Sequence, residues 1–281
     1  MIRDTFFSMS RFVDLCRKEM VESWKTNILR VVMIYGLFVV AFVWNGYFQY
    51  EEPSRFTGVR NGVDPMWTFE LIVFLWAIVI MGLLSASFIM ERMKSKTSRI
   101  AMLMTPATMF EKFFSRWLVF TFGFLIVFLI AFILADWTRV LIYSISYPEL
   151  KNVIASVPLC HLVGGGNNVD YWTAFKTPQL FVFGISVYCY IQSIFVLGSV
   201  IWPKNAYIKT FSAVIVVAVT YISIALLLVK ILAEDKSYGF HPSISDETLV
   251  CLMTIGFFLM AVFDWVLAYF RFKESEIINR W

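Results

Sequence analysis

Apolar residues fall in six long blocks separated by short polar segments. Residues 71–90, 117–135, 180–202 and 211–229 run almost without charge, and 31–48 and 248–270 complete the set, the last interrupted by Asp264. A helix needs about 20 apolar residues to cross the hydrocarbon of a bilayer. None of the blocks alternates strictly between apolar and polar positions, as the strands of a membrane barrel do. The pattern predicts an all-α membrane protein of six transmembrane helices, over about 28–48, 66–90, 113–137, 178–202, 211–233 and 248–270.

Ahead of the first block the period changes. Phe6, Met9, Val13, Cys16, Met20 and Trp24 recur every three or four residues, with Arg11, Asp14, Arg17, Lys18 and Glu22 largely elsewhere. Residues 1–27 therefore predict an amphipathic helix, apolar side in the headgroup layer and cations near anionic lipid. The plainer alternative packs it on a soluble partner. Met1 to Thr26 carries both signs of charge and no apolar core, so no signal peptide is expected there.

The segment between the second and third blocks, 91–112, is a predicted cytoplasmic element with a break inside it. Pro106 drives Thr105 from helical dihedrals and ends the helix before it. Thr108 to Glu111 then fits a capping box that starts the next helix. The outcome is helix, corner, helix, with Met102, Met104, Met109 and Phe110 around the corner. Such an apolar knob suits a groove on a partner; a hairpin lying against lipid is the plainer form.

Composition agrees with this class. Hydrophobic residues make up 59% of the 281 and charged residues 16%, against about 25% charged in an ordinary soluble domain. Mean hydropathy is +0.73. Orientation follows from lysine and arginine in the short connections. With the amino and carboxyl termini cytoplasmic, seventeen of the 24 cations lie inside. The outer seven are Arg55, Arg60, Arg139, Lys151, Lys176, Lys230 and Lys236. On this count the basic inner face is a topology signal and implies no nucleic acid.

Candidate chemistry is sparse. The four cysteines form no CxxC pair, so no zinc knuckle or thioredoxin-like motif is available, and small apolar packing is their expected role. His161 and His241 lie in separate loops and no HExxH occurs. Cys160 and His161 are adjacent in the chain, which says little about meeting in space as a nucleophile and its base do. Gly164–Asn168 (GGGNN) lacks the following GK[ST] of a phosphate loop and reads as flexible loop. No catalytic, cofactor or metal residue is expected, and no P-loop that would hydrolyse nucleotide. Among intramembrane charges, which cost about 2.5–3.5 kcal/mol each at a helix centre, Asp264 stands out. It lies roughly 10 Å before Arg271 along the helix, either packing the bundle or anchored to a neighbouring helix. Glu70 lies one turn inside the outer boundary, with a water-reaching role expected.

Phe12 to Arg30 (FVDLCRKEMVESWKTNILR), Ser98 to Trp117 (SRIAMLMTPATMFEKFFSRW), Trp202 to Thr210 (WPKNAYIKT) and the tail YFRFKESEIINRW together resemble the ABC-2 type permeases of bacterial ABC transporters, in their short six-span branch. Related chains show an LPAS-x-x-EKF pattern between spans two and three, where this chain has Met104-Thr105-Pro106-Ala107-Thr108-Met109-Phe110-Glu111-Lys112-Phe113. The resemblance implies a membrane-spanning subunit of the bacterial inner membrane. It would pair with a second permease subunit, identical or not, and with separate cytoplasmic ATPase subunits that hold the ATP and magnesium. The coupling element would be Ser98 to Lys112, with docking contacts at Met104, Thr105, Pro106, Thr108, Met109, Phe110, Glu111 and Lys112. The chain departs from many members in the segment from Glu234 to Glu247, too short for their re-entrant helices. Export is the expected activity. A non-transporting scaffold or sensor subunit that docks a cytoplasmic regulator is the alternative, and an enzyme built on Cys160 and His161 a distant third.

Overall fold

Every apolar block becomes a helix, because a backbone in hydrocarbon has no water to satisfy its polar groups and must bond within itself. In the computed structural model of the chain, residues 6–51, 64–164, 172–233 and 245–275 are described. The helices are α1 (Met9–Glu22), α2 (Trp24–Glu51), α3 (Met66–Ser87), α4 (Lys96–Leu103), α5 (Met109–Leu118), α6 (Phe124–Ser146), α7 (Pro178–Ile201), α8 (Ala206–Ala233) and α9 (Asp246–Lys273). Six helical stretches are long and apolar enough to cross a membrane, and no strand occurs among the described residues. The chain is an all-α, multi-pass membrane protein.

The third span is longer than expected. α5 and α6 are joined by a π-helical turn, Val119–Gly123, into one stretch of 38 residues, Met109–Ser146. At 1.5 Å per residue this is about 57 Å, nearly twice the hydrocarbon thickness, so its ends project well past the apolar core. A π turn inserts one residue and leaves a backbone group to be satisfied differently. The Thr121 hydroxyl donates to the Trp117 carbonyl there at 2.5 Å.

The chain divides into two units. The first comprises Met1–Gly82 and Glu111–Phe181. Its core is aromatic: Phe38 and Phe42 of α2, Phe74 of α3, and Phe128 and Phe132 of α6. The rings meet edge to face, Phe38 to Phe128 at 5.4 Å, Phe42 to Phe132 at 5.5 Å and Phe74 to Phe132 at 5.0 Å, the geometry the ring quadrupole prefers. Nearer the α6 end, Tyr143 lies over Gly46, where a Cβ would stand 2.5 Å from the ring. Its hydroxyl donates to the Val43 carbonyl at 2.5 Å. Tyr143 is therefore a buried packing residue, while Trp137 on the same helix is exposed.

α1 belongs to this unit and has two apolar sides. Phe12 and Leu15 are buried, with the Phe12 ring 5.4 Å from Phe114 of α5. The predicted stripe faces outward instead, with Met9, Val13, Met20 and Trp24 at least half exposed. That leaves an apolar surface of the kind that lies in a headgroup layer.

The second unit comprises Leu83–Phe110 and Val182–Trp281. α7 and α9 meet through Phe183 and Tyr190 against Phe257. α7 and α8 approach closely where Gly198 lies under Thr210, since a Cβ on the glycine would overlap that side chain. The connection between them turns at Asn205, whose φ of 55° is left-handed, a conformation that asparagine tolerates better than most residues. The expectations for the GGGNN run beyond Gly164, for the loop before Ser245 and for the last six residues lie outside the described residues.

Gly46→Val should force the Tyr143 ring off α2 and lower stability by about 1–3 kcal/mol, read as a fall in melting temperature in detergent. The same change at Gly36, which has open space where a Cβ would go, should leave the melting temperature nearly unchanged.

Candidate functional site

Two polar assemblies lie toward opposite ends of the 38-residue third span. One is the expected corner before it; the other is a charge cluster near its far end.

At the corner, Ser95 caps α4, its hydroxyl accepting from the Ser98 amide at 3.3 Å. α4 ends at Leu103, as Pro106 dictates. The Thr105 hydroxyl donates to the Ala101 carbonyl at 2.9 Å, closing the last turn. Met104 at the tip is 73% exposed and Pro106 is exposed, while Thr105, Thr108 and Met109 are half-buried. Phe110 rests edge-on against Tyr269 of α9, centroids 5.8 Å apart. Glu111 and Lys112, expected as docking residues, are buried. Glu111 Oε1 accepts from the Ser8 amide at 2.7 Å and from Arg11 Nη2 at 3.0 Å, so this carboxylate ties α1 to α5 within the first unit. The surface open to a partner narrows to Met104, Pro106 and their half-buried neighbours.

The second assembly overturns an expectation. Arg139 is an outer-loop cation by the topology reading and Glu70 a water-reaching acid, and Asp64 and Asp136 stand at the ends of predicted spans. All four are buried, with Arg139 and Glu70 at 0% exposure. A single guanidinium cannot sit dry without partners, and here each of its five N–H groups has one. Nε donates to Asp136 Oδ1 at 3.1 Å. Nη1 donates to Tyr50 Oη at 2.5 Å and Asp64 Oδ2 at 3.0 Å. Nη2 donates to Asp136 Oδ1 at 2.6 Å and the Ala155 carbonyl at 2.8 Å. Glu70 Oε1 lies 2.5 Å from Arg139 Nε, off the line of its N–H.

The acids are held in turn. Tyr50 Oη donates to Asp64 Oδ1 at 2.8 Å, as does the Met66 amide at 2.9 Å. The Ala155 amide donates to Asp64 Oδ2 at 3.1 Å and the Val157 amide to Asp136 Oδ2 at 2.9 Å. The segment 154–157 thus straps the cluster with its backbone. The start of the long connection is fixed by polar contacts that no side-chain pattern discloses. Asp136, Arg139 and Tyr143 share one helix face at steps of three and four; that spacing, next to Asp64 and Glu70 at the start of α3, was the available signal.

The remaining candidates are simpler. Asp264 is buried on α9 and accepts from Ser193 Oγ of α7 at 3.0 Å, a packing contact between two spans. Cys160 is exposed, and the His161 ring meets Trp67 edge-on at 5.3 Å. Burial pushes the His161 imidazole below the usual histidine range, as expected of a ring packed against an aromatic neighbour. No group of three or more His, Cys, Asp or Glu able to hold a metal ion occurs among the described residues.

Arg139→Met leaves three buried carboxyl groups without their cation. Removing one partner of a buried ion pair costs about 3–5 kcal/mol, so the melting temperature in detergent should fall sharply. Arg271→Met, removing an exposed cation, should change it little.

No protein-family model, characterised protein or solved structure matches this chain.

Proposed function

We propose that the chain is the permease subunit of an ABC transporter, an exporter driven by separate ATPase subunits and paired with a second permease subunit in a bacterial inner membrane. The observation that carries this reading is the corner between spans two and three. A capped helix of eight residues ends at a proline-set turn whose tip presents an exposed methionine. A rigid helix that holds an apolar tip is the form of a knob for a partner's groove, and methionine adapts its shape to such a groove. Six spans suit a permease. The resemblance of residues 98–117 to the ABC-2 type permeases supplies the identity of the partner. ATP and magnesium belong to that partner in this reading.

The exposed stripe of α1 fits the same reading, as an interfacial helix running ahead of the first span. Its cations Arg17 and Lys18 would meet anionic headgroups on the cytoplasmic side.

Met104→Glu tests the docking contact without disturbing the fold, because the side chain is 73% exposed. In vesicles carrying the assembled transporter, ATP hydrolysis stimulated by the membrane subunits should fall by about tenfold, which corresponds to about 1.4 kcal/mol of coupling. The melting temperature of the subunit alone should stay the same. Purification from the native membrane with no nucleotide-hydrolysing subunit bound would sink the transporter reading in favour of a scaffold.

A further inference from the structure

The charge cluster of the first unit holds more acid than its cation can serve. Asp64, Glu70 and Asp136 face one Arg139, and all four are buried. Fully ionised, the group would carry a formal charge of −2 in a site closed to water. The hydrogen bonds show which acid is in excess. All five N–H groups of Arg139 go to Asp64, Asp136, Tyr50 and Ala155. Both oxygens of Asp64 and both of Asp136 accept hydrogen bonds. Neither oxygen of Glu70 accepts one, although its side chain is wholly buried and points into the cluster.

Asp136 and Glu70 stand against the same nitrogen, Arg139 Nε lying 3.1 Å from Asp136 Oδ1 and 2.5 Å from Glu70 Oε1, which brings the two carboxyl groups side by side. A carboxylate only accepts hydrogen bonds, so two of them facing each other repel, and a carboxyl pair of this kind is joined only when one carries a proton. The charged and titratable groups that face Glu70 are Arg139, Asp136, Asp64 and Tyr50. Tyr50 gives its proton to Asp64 and the Arg139 Nε–H is directed at Asp136, so neither donates to Glu70.

We propose that Glu70 and Asp136 form a proton-binding site, with the proton on Glu70 donated to Asp136. The bound proton brings the formal charge of the cluster to −1. On release the Glu70 O–H bond breaks, the proton passes to water, and the electron pair stays on the carboxylate. Glu70 and Asp136 then repel with no donor between them. Asp136 also holds the Val157 amide, so the proton site and the strap share one carboxyl group.

Infrared spectroscopy of the full-length protein in lipid nanodiscs reads this directly, since a protonated carboxyl has a carbonyl band that a carboxylate lacks. With carbon-13-labelled glutamate at about pH 8, where an ordinary glutamate is ionised, an isotope-shifted acid band that moves in deuterium oxide is expected. Loss of that band in Glu70→Gln is the second expected result. The amide of that variant also replaces the donated proton, so its melting temperature should match the wild type, unlike that of Arg139→Met. Absence of the labelled acid band in the wild-type protein would overturn the proposal, whatever the variant does. Persistence of the band in Glu70→Gln would overturn it equally.

Discussion

The first unit depends on one guanidinium. Among the described residues Arg139 is the single buried cation at its end of the helices, and three separate pieces of chain are joined through it. Tyr50 closes α2, Asp64 and Glu70 open α3, and the strap at Ala155 follows the third span. Burying such a charge is expensive unless every donor is used. The planar fork of arginine allows that use in five fixed directions, which a lysine ammonium could not reproduce. The aromatic core below it packs edge to face, a weaker directional demand than that of a buried charge. It is the polar contacts that set the register of the helix ends.

A second lock of the same kind lies at the other end of the long span. Glu111 receives the Ser8 amide and Arg11, and so fixes the amphipathic helix by one charged contact and one ring contact, Phe12 on Phe114. Between the two locks the helix carries its only π turn among the described residues, at Val119–Gly123. Within that turn the Phe120 ring faces the guanidinium groups of Arg30 and Arg116, 5.9 and 5.8 Å from its centroid.

How much of this could be read along the chain depends on the kind of contact. Block length and proline position are local properties, and they disclosed the spans and the corner at Pro106. The cluster was hidden because a hydropathy window treats Asp136 and Arg139 as the edge of a span, when they lie on a helix that continues for two more turns. Their role depends on Asp64 and Glu70, more than sixty residues earlier. The strap was hidden more deeply, since it acts through the amides of Ala155 and Val157 and not through side chains. In α1 the period was legible but the buried side was not. Phe12 and Leu15 form a second apolar arc, and only Phe114 decides which arc turns inward.

Arg139 also bears on how the chain is made. The second and third spans emerge from the ribosome in order, so Asp64 and Glu70 are in place before the arginine is synthesised. Arg139 lies near the far end of its span, and burying its charge there with no acid beside it would oppose packing of the third span. Acids already waiting at the end of α3 offset that opposition as the third span arrives. Arg139 thus ties the third span to the start of the second.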